Sequence, residues 1–302
     1  MSAPLFSVIT PSFNQAAYLE GCIQSVIAQN RSDVEHLVFD NCSTDGTLEV
    51  LRKYPHVRWV SEPDRGQSHA LNKGFAAARG RILCWLNSDD EYAPGAFEIA
   101  HRELIGAGRS VIFGNAREEF YDGRPSRVQR PRFAGREDLL QWWDKTVSML
   151  QPAVFFTREV WERTGGIRED LHIVMDLEYW WRMSAHFPFH YVDAVLAVQH
   201  RQPESKTMRL AYRMYREKQT VFGALRREAE GFRLRTFLQA RAGLAWRFLQ
   251  LGQSAGTHDR ATALFFLQQS LRENPAYLVR PAWLRAMTCA LVASRPSMKG
   301  AS

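Results

Sequence analysis

The chain opens with an apolar run rich in β-formers, Leu5 to Thr10, which predicts a strand. The next segment places Leu19, Cys22, Ile23, Val26 and Ile27 on one helical face. A strand at His36–Asp40, a helix from about Thr44, a strand at Val57–Val60 and a small-residue helix over Ser68–Ala78 follow. Arg81–Leu86 and Val111–Gly114 read as further strands. This βαβα order predicts an α/β fold, a mostly parallel central sheet flanked by helices on both faces.

Residues 117–150, with Pro, Gly and many charges, read as an irregular insertion that shapes a substrate site. A second block comprises a strand at Ala153–Phe156, a helix near Arg158–Arg163, the turn Gly165-Gly166 and a helix from about Asp176 to Ala185. Strands at Phe189–Val192 and Val195–Gln199 complete a compact body, residues 1–208. Residues 209–302 form a second region, helical in pattern and rich in Arg and aromatic residues. No apolar stretch reaches the roughly 18–20 residues needed to span a bilayer, and Arg280 and Arg285 interrupt the best candidate.

Charge sharpens this division. From Arg209 onward there are 16 Lys and Arg against 5 Asp and Glu, while the whole chain carries +7. The body is therefore net acidic, and nucleic acid is not expected as its partner. The four cysteines form no C-x-x-C pair, and MSAPLFSVIT lacks the basic flank and long apolar run of a signal peptide. The reading is a cytoplasmic protein with reduced thiols.

Chemistry gathers at the polar strand ends, because ligands of such sheets bind beyond the carboxyl ends of the strands. Asp40 ends a strand ahead of Ser43-Thr44-Asp45-Gly46-Thr47, which caps the next helix. Asp40 either joins that capping or accepts hydrogen bonds from a base N–H or a ribose hydroxyl. Asn87-Ser88-Asp89-Asp90 follows another strand. Adjacent carboxylates repel unless a cation neutralises them, which suits Mg²⁺ or Mn²⁺ with a diphosphate completing the shell; the alternative is a solvated acidic turn. Asp176, at a helix start among Val174, Met175, Tyr179, Trp180 and Trp181, either caps the helix or acts as a general base whose pKa is raised by partial burial. A G-x-G-x-x-G after the first strand, a P-loop and a G-x-S-x-G elbow are all absent from the sequence.

In order and spacing these segments resemble the family 2 glycosyltransferases, which have the GT-A fold. The landmarks are Ser7-Val8-Ile9-Thr10-Pro11-Ser12-Phe13-Asn14, the Asp40 turn, Glu62-Pro63-Asp64-Arg65-Gly66, Asn72-Lys73-Gly74 and Asn87-Ser88-Asp89-Asp90. Gln151-Pro152-Ala153, Gly165-Gly166 and Met175-Asp176 follow, so the resemblance covers residues 4–208. It implies a GT-A (Rossmann-like) body that moves a sugar, with inversion, from a nucleotide-diphosphate-sugar donor to a glycan or lipid-linked acceptor in cell-surface polysaccharide or glycolipid synthesis. Thr10, Pro11 and Asp40 would hold the nucleoside, with Arg65 and Asn72 in the stretch lining the donor pocket. Asn87 and Ser88 belong to the same donor site, Asp89 would ligate Mn²⁺ or Mg²⁺, and Asp176 would be the base.

Two departures stand out. The family's metal motif is often Asp-x-Asp, and here Asn87 takes the first place, leaving the metal to Asp89 with Asp90. Relatives often carry a late His in an Arg-x-His pattern before Lys-Thr; here His200 stands two positions before the expected place, which Gln202 occupies, ahead of Lys206-Thr207. His200 is the remaining metal candidate. The basic region 209–302 suggests an anionic membrane surface as partner, on the cytoplasmic face, or packing on the body or a second subunit. Rival functions are a sugar-nucleotide nucleotidyltransferase, whose usual Gly-rich basic loop is missing, and a catalytically silent GT-A-like binding scaffold.

Overall fold

A computed structural model describes residues 3–133, 135–141, 149–201, 217, 221, 249 and 260–292. The chain divides into two compact units, Met1–Leu139 with Lys145–Val221, and Leu140–Asp144 with Phe222–Ser302. The boundary expected after residue 208 falls outside the described residues.

The first unit begins as a strict β–α alternation: β1 (Phe6–Ser12), α1 (Leu19–Ile27), β2 (Val34–Asp40), α2 (Thr47–Arg52), β3 (Arg58–Ser61), α3 (Gln67–Ala77) and β4 (Ile82–Trp85). β1 pairs in parallel with β2 and β4, and β2 with β3. All of β1 is buried, as a central strand covered on both faces must be. α3 lies so close to β1 and β2 that a Cβ at Gly74 would collide with Ile9 and come within 3.2 Å of Phe39.

Beyond β4 come β5 (Asp90–Tyr92), α4 (Ala96–His101), β6 (Val111–Phe120), β7 (Arg127–Gln129), β8 (Val154–Thr157), α5 (Arg158–Thr164), α6 (Met175–Ser184) and β9 (Phe189–Arg201). The sheet runs β3-β2-β1-β4-β8-β6-β9-β5, with β7 on β6. β8 is antiparallel to β4 and β6, β9 is parallel to β6, and β5 is antiparallel to β9. The flanked α/β sheet is thus parallel in its first half and mixed in its second. Phe6 stacks on Phe97 at 4.6 Å and Tyr92 meets Phe155 at 5.3 Å, so α4 and β5 close one face of the core.

Three local outcomes differ from the sequence expectation. The break expected between Val192 and Val195 is a bulge within one strand: β9 pairs Val192 with Gly114 and Val195 with Asn115. Gly114 admits it, since a Cβ there would lie 2.8 Å from the Ala194 carbonyl. The start of the expected irregular insertion is instead the end of β6, paired with β7. Its charges hid the strand, yet Glu118 is buried there, taking Arg201 Nε at 2.8 Å and also Arg127. Asp90, the last residue of the Asn87–Asp90 segment, begins a strand, because the backbone of Asp90–Tyr92 pairs with Ala197–Gln199.

In the second unit α7 (Arg260–Glu273) and α8 (Pro281–Val292) are joined by a tight turn, Pro275–Val279. The Trp283 indole donates to the Leu267 carbonyl at 3.2 Å and Ser270 Oγ at 3.0 Å within a cluster of Leu249, Ala263, Leu267 and Tyr277. Most of the Arg-rich stretch behind the membrane-surface expectation lies outside the described residues. Among the described residues no helix is long and apolar enough to cross a membrane.

Candidate active site

The first two β–α loops are laced together. Ser43 donates both its backbone N–H and its hydroxyl to the Asp40 carboxylate, and Ser61 Oγ donates to Asp40 Oδ2 at 2.6 Å. Asp40 therefore does cap its turn, and the charge accepts several donors at once. Asn14, in the left-handed region at φ 52°, receives Thr44 N at 2.9 Å and donates its own N–H to Ser43 Oγ at 2.7 Å. Ala16 N reaches Asp45 Oδ2 at 3.0 Å.

β1 continues through Ser12, and the Thr10 hydroxyl faces inward, 2.9 Å from His36 Nε2. Burial holds that imidazole neutral, with its pKa lowered to about 3. The Pro11 carbonyl accepts from Ser88 Oγ at 3.2 Å, which ties the Asn87–Asp90 turn to the end of β1. Ser12 Oγ, in register with Asp40, is buried without a hydrogen-bond partner among the described residues.

Asn87 is the hub of its turn. Its Oδ1 accepts from Gln67 Nε2 and Trp85 Nε1, each at 2.8 Å. Its amide donates to Asp90 Oδ2 at 3.2 Å and Gln151 Oε1 at 3.1 Å. Asp89 is half-buried beside this hub, while Asp90 is buried. Burial raises the Asp89 carboxyl, with His200 and Arg201 pulling the other way. Burial and the neighbouring Asp89 raise Asp90 well above the usual range.

The expected metal trio is not gathered. Among the described residues no group of three or more His, Cys, Asp or Glu side chains forms a cation site. Asp90 is committed to Asn87, and His200 turns toward two carboxylates, Nε2 3.1 Å from Glu91 and Nδ1 3.8 Å from Glu119. The sheet dictates this, since Glu119 pairs with His200 across β6 and β9. A cation carried by a diphosphate needs only one or two protein carboxylates. Asp89 fits that demand, and the desolvated acidic pair would gain from a positive charge.

Asp176 begins α6 and is half-buried, accepting Leu177 N at 2.7 Å. Tyr179, Trp180 and Trp181 behind it are core residues. The loop ahead of α6 is clamped at several points. Asn72 brackets Ile167, donating to its carbonyl at 2.8 Å and accepting its N–H at 2.8 Å. Arg65 pairs with Glu169, Nε to Oε2 at 2.9 Å. Ser68 Oγ donates to the Leu171 carbonyl at 3.0 Å. Arg65 and Asn72 thus hold the loop that leads to Asp176.

The start of α3 joins all three motifs. Asp64 N donates to Asn41 Oδ1 at 2.8 Å, and Glu62 N to the Asp40 carbonyl at 3.0 Å. Gly66, at φ 112°, donates its N–H to Asp64 Oδ1 at 2.7 Å, and a side chain there would be strained. Gln67 then reaches Asn87 while Ser68 holds Leu171. The Asn87–Asp90 turn and the loop ahead of Asp176 are therefore braced by the first turn of α3, and the Asp40 loop by residues 62–64 just before it. Gln67, Gln151 and Glu169 carry this architecture without having been singled out for it. Gln151-Pro152 was visible as a landmark, but nothing in its spacing shows that Gln151 donates to the Trp85 carbonyl.

The flanked sheet, with acidic loops after β2 and β4 and a third acid at the start of α6, has the layout of the GT-A fold. The sequence model of Glycosyl transferase family 2 matches residues 7–165, over half of the chain, and the protein belongs to that family. Chondroitin synthase of Pasteurella multocida is 28% identical over 199 residues, 64% of this chain but 20% of the relative. The chain thus matches about a fifth of that protein's length. Among solved structures, S. aureus TarS 1-349 aligns with a TM-score of 0.62 and 15% identity, over 95% of this chain and 88% of that one. The mannosyltransferase PcManGT from Pyrobaculum calidifontis, in complex with GDP-Man and Mn²⁺, aligns at 0.59 and 19% identity, over 97% and 86%. Both share the fold.

Proposed function

We propose that this glycosyltransferase transfers a sugar from a nucleotide-diphosphate-sugar to an acceptor hydroxyl with inversion, Asp176 acting as base and Asp89 holding a divalent cation. The observation carrying this reading is the bracing of the Asp89 and Asp176 loops by α3, through Gln67–Asn87 and Ser68–Leu171. The loops that carry the two carboxylates are thereby both tied to one helical turn, which suits the positioning that catalysis requires.

The Asp40 end of β2 and the unpartnered Ser12 hydroxyl suit the nucleoside. Asp89 suits the cation, since Asp90 is held by Asn87. When bound, Mn²⁺ or Mg²⁺ offsets the negative charge developing on the leaving diphosphate. The acceptor oxygen attacks the anomeric carbon from the face opposite the nucleotide, the new glycosidic bond forms as the bond to diphosphate breaks, and Asp176 takes the hydroxyl proton. General-base help of this kind is worth about 10²–10⁴-fold. The polysaccharide relatives favour a glycan or lipid-linked acceptor in cell-surface synthesis, and the membrane surface remains part of that proposal.

The two carboxylates separate by measurement. Asp176→Asn should keep donor affinity and lose about 10²-fold or more in kcat. Asp89→Ala should lose metal-dependent donor binding. Near wild-type turnover by Asp176→Asn would remove the base assignment.

A further inference from the structure

α6 carries Asp176 in its first turn, and its N-cap is Val174, whose side chain offers no hydrogen-bond acceptor. A helix start without such an acceptor leaves backbone N–H groups to be satisfied from elsewhere. Just ahead of the helix, the N–H groups of residues 172–174 are satisfied from far along the chain. Glu217 Oε2 receives the N–H of Ile173 at 2.8 Å, of His172 at 3.0 Å and of Val174 at 3.4 Å. Glu217 is buried, and it belongs to the same compact unit as Asp176. Its charge also lies at the positive end of the α6 dipole, where an anion is stabilised.

We infer that Glu217 is a positioning residue for catalysis: its carboxylate fixes the backbone of residues 172–174 and thereby sets where Asp176 stands. The inference rests on the reading of Asp176 as the base. Three successive backbone groups on one oxygen define the path of the turn closely, two residues before Asp176. Ser68 grips the same turn one residue earlier, at the Leu171 carbonyl, and Asn72 and Arg65 grip it at Ile167 and Glu169. Those contacts all come from α3 and its approach, whereas Glu217 lies beyond β9. Glu217 is thereby tied to the loop before Asp176, although it stands outside residues 4–208, which carry the resemblance.

A displacement of about 1 Å at a reacting group costs up to about 10²-fold in rate. The test uses the full chain with Glu217→Ala and Glu217→Gln, each alone and combined with Asp176→Asn. Donor affinity is measured by calorimetry, kcat and KM by nucleotide release, and backbone mobility by hydrogen exchange at residues 172–174. Glu217→Ala should lower kcat about 10- to 100-fold with donor affinity held within about twofold. Exchange at 172–174 should rise by about tenfold or more. Glu217→Gln, which keeps an acceptor oxygen, should recover most of kcat. On the Asp176→Asn background Glu217→Ala should cost no more than about twofold, because both act through one group.

Unchanged exchange at 172–174 in Glu217→Ala, or an equal kcat loss on both backgrounds, would overturn the inference. If Asp176→Asn alone turned over like wild type, the base reading would fall and Glu217 would lose its catalytic part, while the exchange rates would still judge the clamp. Should Glu217→Ala not fold, Glu217→Asp, its carboxylate drawn back by one methylene, is read by the same criteria.

Discussion

The Asn87 amide donates to the buried Asp90 carboxylate across 3.2 Å, and this pairing accounts for an amide at the head of the acidic turn. The same amide reaches Gln151 Oε1 at 3.1 Å. An aspartate at 87 would oppose both acceptors with a third. Asn87→Asp, which restores the commoner Asp-x-Asp spacing, should therefore destabilise the fold by about 1–3 kcal/mol. The new charge would push the raised Asp90 carboxyl higher still. The folded variant then binds more protons than its unfolded chain, so its deficit is largest at neutral pH and shrinks as pH falls through the raised folded pKa. Urea denaturation across pH checks both the loss and its slope.

Asp40 binds three donors of its own turn and strand neighbour, Ser43 N, Ser43 Oγ and Ser61 Oγ. Asp40→Asn presents an amide to at least one of them. Stability should fall by about 1–3 kcal/mol, and donor affinity should fall with it. Thermal denaturation with and without nucleotide reads both; an unchanged melting temperature would contradict the lacing.

His36 is buried and neutral, with its pKa lowered to about 3. The unfolded chain takes up a proton near pH 6.5 that the folded state refuses, so stability falls as pH drops through that window. The cost approaches about 1.4 kcal/mol per pH unit for one such group. His36→Gln keeps a polar partner for Thr10 and should remove that slope between about pH 4 and 6. Equilibrium unfolding of both proteins across that range decides it, and identical slopes would contradict the assignment.

Asn72 closes two hydrogen bonds around Ile167. Asn72→Ala should lower kcat while leaving donor affinity nearly intact, because the loop toward Asp176 loosens. A donor-pocket residue would instead raise KM with kcat kept. Steady-state kinetics separate the two roles.

Much of the fold was legible because β1 to β4 obey simple periodicities. Strand ends fell where Asp40 and Asn87 placed polar groups. The second half was harder for physical reasons. β5 is held by backbone pairing to β9 and not by an apolar pattern. The end of β6 carries charges because Glu118 finds two arginines. Within the candidate site, residue types pointed to the three carboxylates, but partners were invisible. Nothing in the sequence says that Arg65 answers Glu169, that His200 answers Glu91, or that Glu217 reaches back to residues 172–174. Those are long-range contacts between residues far apart in the chain.

Metal-assisted transfer from a nucleotide-sugar is measured most directly as nucleoside diphosphate release across a panel of donors. The wild-type chain is assayed with Mn²⁺ or Mg²⁺, and again in excess chelator. Release is expected from one donor, requiring the cation, accelerated by acceptor and lost in Asp89→Ala. Release that persists undiminished in chelator, or no release from any donor with metal and acceptor present, would contradict it.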